Sequence, residues 1–102
     1  MHNKDEQVSQ LITKANQSLN FLRIVLDDLI LDRDKYPPEV QQRIFTIQRN
    51  YKTHKAVLTN VENLLIDRIL PLSDKLANHL AINLRTRISK IINDAIDLDR
   101  LR

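Results

Sequence analysis

Glycine and cysteine are both absent from this chain of 102 residues, and only two Tyr and two Phe supply aromatic side chains. Without glycine, turns that need a positive φ must use Asn or Asp, which disfavours hairpin-rich β folds. The absence of glycine also excludes a glycine-rich phosphate loop. Without cysteine there is no disulfide, no thiolate metal ligand and no Cys nucleophile, and a reducing compartment is expected.

Long apolar runs are also absent, since none exceeds four residues. No segment is therefore expected to span a bilayer. The first residues, MHNKDEQ, lack the charged-then-apolar pattern of a secretion signal. These features predict a cytoplasmic protein. The formal net charge of +3 is modest, and DNA-binding domains usually show a denser basic face.

Helical periodicity dominates what is present. The length fits a single domain spanning residues 1–102. A first helix is predicted over about residues 4–32, because apolar residues recur there at spacings of four and three. This seam comprises Val8, Ile12, Ala15, Leu19, Leu22, Leu26 and Leu29, and it is widened by Leu11, Phe21, Ile24, Val25 and Ile30.

The middle of the chain is predicted to form two helices, over about 38–53 and 55–70. Pro37 and Pro38 end the first helix, and Pro38 suits the first turn of the next. Asn50, Thr53 and His54 are poor helix formers, so a bend is expected between Tyr51 and Lys55. The inward residues of these helices are predicted to be Val40, Ile44, Ile47, Tyr51, Val57, Val61, Leu64, Leu65 and Ile69, with Phe45 beside them.

A fourth helix is predicted over about 73–96. Leu70-Pro71 stops the helix before it, and Ser73 is a good N-cap. Its inward residues are expected to be Leu76, Leu80, Leu84, Ile88, Ile91 and Ala95, followed by a short, charged and frayed C-terminal tail. The resulting fold class is all-α, an antiparallel up-down-up-down four-helix bundle.

The sequence argues against an enzyme, and no catalytic, cofactor-binding or metal site is expected. The histidines at positions 2, 54 and 79 form no i, i+3 or i, i+4 pair with one another, and the sequence contains no Glu-x-x-His or His-x-x-x-His ligand set. His79 is best explained as a partly exposed polar residue. The serines have no Gly-flanked elbow, and the acidic set Asp27, Asp28, Asp32 and Asp34 lacks the spacing of a calcium loop.

The charge map is more informative, because residues 51–102 hold nine basic and six acidic side chains while residues 1–50 hold seven of each. One basic group surrounds the predicted second turn and another lies on the last helix. In the predicted bundle both groups approach one end, opposite the acidic set. The partner-binding residues predicted from this map are Arg49, Lys52, His54, Lys55, Arg85, Arg87, Lys90, Arg100 and Arg102. A basic end suits an anionic membrane surface or an acidic partner.

The chain resembles the immunity proteins of pediocin-like (class IIa) bacteriocins, of the enterocin A immunity type. The shared pattern is a first amphipathic helix, an acidic turn leading into a helix like PPEVQQRIFTIQRNYKTHK, a helix like AVLTNVENLLIDRI, and an apolar-Ser turn like LPLSDK that opens the last helix. The resemblance implies a cytoplasmic four-helix bundle of a Gram-positive bacterium. Such a protein protects the cell from a pore-forming peptide by engaging the bacteriocin-bound mannose phosphotransferase permease, without catalysis.

An alternative stays open. A small helical regulator or adaptor from a phage or bacterium would bind protein or nucleic acid through the same basic end. Steeply salt-dependent binding to nucleic acid would favour that alternative. The immunity interpretation predicts no nucleic-acid binding at physiological salt, and it allows peripheral contact with the membrane.

Overall fold

The computed structural model describes residues 3–67 and 70–102, without the side chain of Asn3. Helix α1 spans Asn3–Leu31, a short 3-10 turn spans Arg33–Lys35, helix α2 spans Pro38–Asp67, and helix α3 spans Asp74–Asp99. The described ranges contain helices and no strand, so the predicted all-α class is confirmed. The helices run up, down and up along a rod of 53 × 20 × 17 Å.

The prediction of four helices is wrong for the part of the chain that is described, because α2 is one helix of 30 residues with no bend at Tyr51–Lys55. No Pro or Gly interrupts it after Pro38. Each weak helix former in its middle costs less than about 1 kcal/mol relative to Ala. That cost is offset by a continuous inward face at spacings of three and four, formed by Ile44, Ile47, Tyr51, His54, Leu58 and Val61.

The helix starts follow local chemistry, as predicted. Pro38 opens α2, and the carbonyl of Pro37 accepts a hydrogen bond from the Gln41 N–H at 3.0 Å. Ser73 caps α3, since its Oγ accepts from the Leu76 N–H at 3.2 Å. The first contact is the first i→i−4 hydrogen bond of α2, and the second satisfies a backbone N–H of α3 that has no partner within its own helix. The predicted end of the preceding helix falls partly on residues 68 and 69, which lie outside the described residues.

The α1 seam is confirmed, because each of its predicted members is at most 6% exposed. It packs against both other helices and lies closest to α3. Small side chains occur on both sides of that contact, and interaxial distance depends on the size of the side chains between two helices. These buried alanines are Ala15, Ala77, Ala81 and Ala95. Among the flanking residues, Val25 is buried, whereas Phe21 and Ile24 remain exposed.

Two predicted inward leucines are instead exposed, Leu64 at 42% and Leu76 at 39%. On α3 the buried face begins one position later, at Ala77, and continues through Ala81 to Leu84 at spacings of four and three. Leu76 is rotated by about 100° from that face, since an α-helix has 3.6 residues per turn. Ile69 lies outside the described residues.

The C-terminal tail is docked, and the prediction that it frays is wrong. Leu98 is fully buried in the core and α3 continues to Asp99. The Tyr36 hydroxyl donates to the Leu101 carbonyl at 3.1 Å. Arg102 pairs with Asp28 at 2.6 Å, so the last residue is tied to the C-terminal end of α1.

None of the described helices combines the length and the apolar character that crossing a bilayer would require.

Candidate functional site

A cleft of about 360 Å³ lies between α2 and α3, halfway along the rod. We call it the α2–α3 cleft. It is lined by His54 from α2 and by His79, Ile82, Asn83, Thr86, Arg87 and Lys90 from α3. This lining combines two cationic side chains with two imidazoles, and it includes no carboxylate. Its chemistry is therefore suited to a negatively charged group.

His54 is the residue that α2 contributes to the lining of the cleft. Its position on the inward face of α2 leaves it only 5% exposed. Its Nδ1 lies 3.0 Å from Nη1 of Arg87, and Nε of the same guanidinium donates to Oδ1 of Asn83 at 3.2 Å. An arginine only donates, so Nδ1 must accept and the imidazole must be neutral with its proton on Nε2. Arg87 thus determines the tautomer of His54.

The surroundings of His54 disfavour its charged form. Burial lowers the pKa of His54 below its usual value, and the positive charges of Arg87 and Lys90 lower the pKa further. Its Nε2 is buried and has no hydrogen-bond partner among the described residues. A buried donor without a partner is uncommon in folded proteins. A negative charge in the α2–α3 cleft would offset the positive charges of Arg87 and Lys90 beside His54.

The predicted partner-binding residues are brought together only in part. His54, Arg87 and Lys90 share the α2–α3 cleft. Arg85 is exposed and lies about 200° around α3 from Arg87, because the two are two positions apart at about 100° per residue. Arg100 is exposed near the end of α3.

The remaining predicted residues lie elsewhere. Arg49 and Lys52 are exposed on α2 and do not line the cleft. Lys55 faces a separate groove between α1 and α2, where the Asn16 amide donates to Glu62 at 2.6 Å. Arg102 is occupied by ion pairs with Asp28 and Asp99.

The predicted single basic end is wrong. It depended on a turn near Tyr51, which would have placed residues 49–55 at one end of a bundle. In the continuous α2 these residues lie near its midpoint, and the contact between His54 and Arg87 places the middle of α3 beside them. The acidic residues do lie at one end, where they pair with nearby cations in Arg23–Asp27, Lys35–Asp32 and Arg102–Asp28.

Sequence reasoning missed Asn83 and Thr86, and it treated His79 only as a partly exposed polar residue. A usable signal was present, because His79, Asn83, Arg87 and Lys90 recur at spacings of four, four and three along α3. Such spacing places polar side chains along one helix face. His79 is exposed, as predicted.

A metal site has no support in the described ranges, where no group of three or more His, Asp or Glu side chains is arranged to hold an ion. Asp94 lies on α3, one turn beyond Lys90, and its pKa is also shifted from the usual value. Burial raises its pKa, while the charge of Lys90 lowers it and that of Asp97 raises it. Its Oδ2 is buried and unpartnered within the described part of the chain. Asp94 does not line the α2–α3 cleft.

Comparison with known proteins found no protein-family model, no curated protein and no solved structure that matches this chain.

Proposed function

We propose that this protein is a non-catalytic binding module whose partner-binding surface is the α2–α3 cleft, and that its biological role is bacteriocin immunity. In that role it protects the cell from a pore-forming pediocin-like peptide by binding at the cytoplasmic side of the membrane receptor complex. The observation that carries the binding part is the cationic, carboxylate-free lining around His54 and Arg87.

Two local features support the immunity role. Pro38 opens α2 and Ser73 caps α3, which are the positions where the resemblance to bacteriocin immunity proteins expects a helix to begin. The basic part of the cleft lies on α3, within residues 51–102, where the excess of basic side chains occurs. The mannose phosphotransferase permease in its bacteriocin-bound form is the partner that the resemblance implies.

One observation favours the second candidate, a small helical regulator or adaptor that binds protein or nucleic acid. The described residues form three helices, whereas the resemblance implies four. A three-helix rod with a basic cleft at its middle also suits an adaptor that binds an acidic surface of another protein.

A challenge assay tests the immunity role. The chain is expressed in a bacteriocin-sensitive Gram-positive strain, and killing by a panel of pediocin-like peptides is measured. The proposal expects protection against one or a few of the peptides. Arg87→Glu should abolish that protection because it reverses charge inside the cleft. Arg85→Glu is the matched control, since it makes the same charge change on an exposed site outside the cleft.

Equal protection by Arg87→Glu and the unmodified chain, with the variant shown to be folded, would remove the cleft from the mechanism. Full sensitivity across the panel would reject the immunity role. A filter-binding titration against duplex and single-stranded nucleic acid at two salt concentrations then tests the regulator, whose affinity for nucleic acid should fall steeply with salt.

A further inference from the structure

We propose that the α2–α3 cleft binds a free phosphate-type oxyanion, with Arg87 and Lys90 supplying the charge and the Asn83 amide and His79 supplying further hydrogen-bond donors. The proposal rests on the proposed function in one respect, that this cleft is the binding surface. It goes further by naming the chemical class of the ligand and the part played by each side chain.

Arg87 is already held in place for such a ligand. Its Nε donates a hydrogen bond to Asn83 Oδ1, and its Nη1 donates one to His54 Nδ1. A guanidinium has five N–H donors, so three remain for a ligand. Because two contacts fix the guanidinium plane, little side-chain entropy is lost when an anion binds, and preorganisation of this kind strengthens binding.

Asn83 is oriented by the same contact. Since its Oδ1 accepts from Arg87, its NH₂ group is left as a pair of donors lining the cleft. Lys90 adds a second positive charge from the next turn of α3. Thr86 lines the cleft but offers no donor to a ligand, because its hydroxyl donates to the Ile82 carbonyl at 3.0 Å.

His54 provides the base of the site. It is 5% exposed, it lines the cleft, and its Nε2 proton has no acceptor among the described residues. An anion that accepts from Arg87 would change the electrostatic surroundings of the neutral imidazole while the Arg87–His54 contact is kept. The ring resonances of His54 therefore report occupancy of the cleft independently of any cellular activity.

The charge of the cleft favours phosphate over a carboxylate. Its volume of about 360 Å³ is near the lower end for small-ligand pockets and is large enough for a tetrahedral group. Two cationic side chains match the two negative charges of a phosphate dianion better than the single charge of a carboxylate. Arg also suits bidentate contact with phosphate oxygens, while Lys acts as a point charge.

An NMR titration of the purified full-length chain with inorganic phosphate at constant ionic strength tests the proposal. We expect saturable shifts of the His54 and His79 ring resonances and of the Asn83 side-chain amide. Arg87→Gln should weaken phosphate binding about tenfold or more, because hydrogen bonds to charged groups contribute roughly 1.5–3 kcal/mol. Arg85→Gln, which removes the same charge outside the cleft, should change the affinity less than about twofold.

Lys90→Gln is the second variant, since it leaves the His54–Arg87 contact intact and should also weaken binding. Circular dichroism confirms that each variant is folded. Linear, non-saturating shifts, or equal losses for Arg85→Gln and Arg87→Gln, would overturn the proposal because they indicate general charge attraction. Shifts that saturate equally with acetate would overturn the choice of phosphate.

Vesicle sedimentation separates a free oxyanion from a lipid headgroup. Vesicles containing phosphatidic acid that capture the protein, with no response to inorganic phosphate, would overturn the assignment to a free ligand. Phosphate binding without protection in the challenge assay would reject the immunity role alone. Protection that survives in a variant unable to bind phosphate would instead separate the oxyanion site from that role.

Discussion

At the scale of single residues, His54 is a buried titratable side chain whose charge state depends on its neighbours. It occupies a core position on α2 that an aliphatic residue could fill, and it contacts a guanidinium from α3. Burial is the main reason that its pKa is lowered, followed by the charges of Arg87 and Lys90. A neutral imidazole fits this place, whereas an imidazolium would be buried beside two cations.

This makes stability depend on pH in a defined direction. In the unfolded chain His54 binds a proton near pH 6.5, while in the folded chain it does so only at lower pH. Below about pH 6.5 the unfolded state therefore holds more protons, and the free energy of unfolding should fall as the pH falls from there towards the folded pKa. Urea unfolding at a series of pH values, on the unmodified chain and on His54→Gln, measures how much His54 contributes to the pH dependence of the free energy of unfolding.

His54→Gln keeps an acceptor for Arg87 and removes the titration. Its unfolding free energy should change less than that of the unmodified chain across the same interval. The carboxyl of Asp94, whose pKa is raised by burial, acts with the opposite sign at more acidic pH and is common to both proteins. Parallel pH profiles for the two proteins would contradict the prediction.

At the scale of helices, the continuity of α2 controls where the site lies. A helix of 30 residues is about 45 Å long, which is most of the length of the rod. Because α2 does not bend, His54 meets the middle of α3 and the cleft forms at mid-length. A turn at this point would have placed the same residues at an end.

Lys52→Pro tests that continuity at an exposed site. Proline removes one backbone hydrogen bond and clashes with the preceding turn, so the free energy of unfolding should fall by about 3 kcal/mol or more. Lys52→Ala removes the same side chain without the backbone effect, and it should stay within about 0.5 kcal/mol of the unmodified chain. Chemical denaturation measures both. A Lys52→Pro variant as stable as Lys52→Ala would show that residues 51–55 form a turn.

At the scale of the whole molecule, the two ends of the rod are fastened differently. At one end Lys4 pairs with Asp74, and Asp5 accepts a hydrogen bond from the Leu72 N–H. At the other end the last residues pack against the first connection through the contact of Tyr36 with Leu101. The C-terminal residues therefore belong to the core structure that holds α1 and α3 together.

Leu98→Ala tests this docking. Leu98 is fully buried, so its truncation should lower the free energy of unfolding by about 2–5 kcal/mol. Leu31→Ala is the matched control at the same end, since Leu31 is 84% exposed and its truncation should cost less than about 0.5 kcal/mol. Thermal and urea unfolding compare the two variants. Equal losses would indicate a frayed tail.

Several parts of the fold could be predicted from the residues alone because local patterns carry them. The seven-residue seam of α1, the Pro38 start and the Ser73 cap each depend on neighbours within one or two turns. The helix count could not be predicted in this way. Asn50, Thr53 and His54 disfavour helix locally, and only burial of the α2 face outweighs that preference.

The candidate site could also be predicted from the sequence only in part. Sequence identified His54, Arg87 and Lys90 as basic residues of interest, but it grouped them with Arg85 and Arg102 because charge along a chain does not report direction around a helix. Helix rotation places Arg85 outside the cleft, and an ion pair with Asp28 occupies Arg102. Asn83 gained a role only through its contact with Arg87.

The amino-acid order by itself determined an all-helical chain, the face that α1 buries and the residues that start α2 and α3, because those properties arise from short-range periodicity and capping. Only the tertiary structure decided that the described residues form three helices instead of four, that the tail is docked and that an imidazole and a guanidinium meet in one cleft. These outcomes depend on contacts between residues far apart in sequence. Their free energy comes from packing, which no local preference contains.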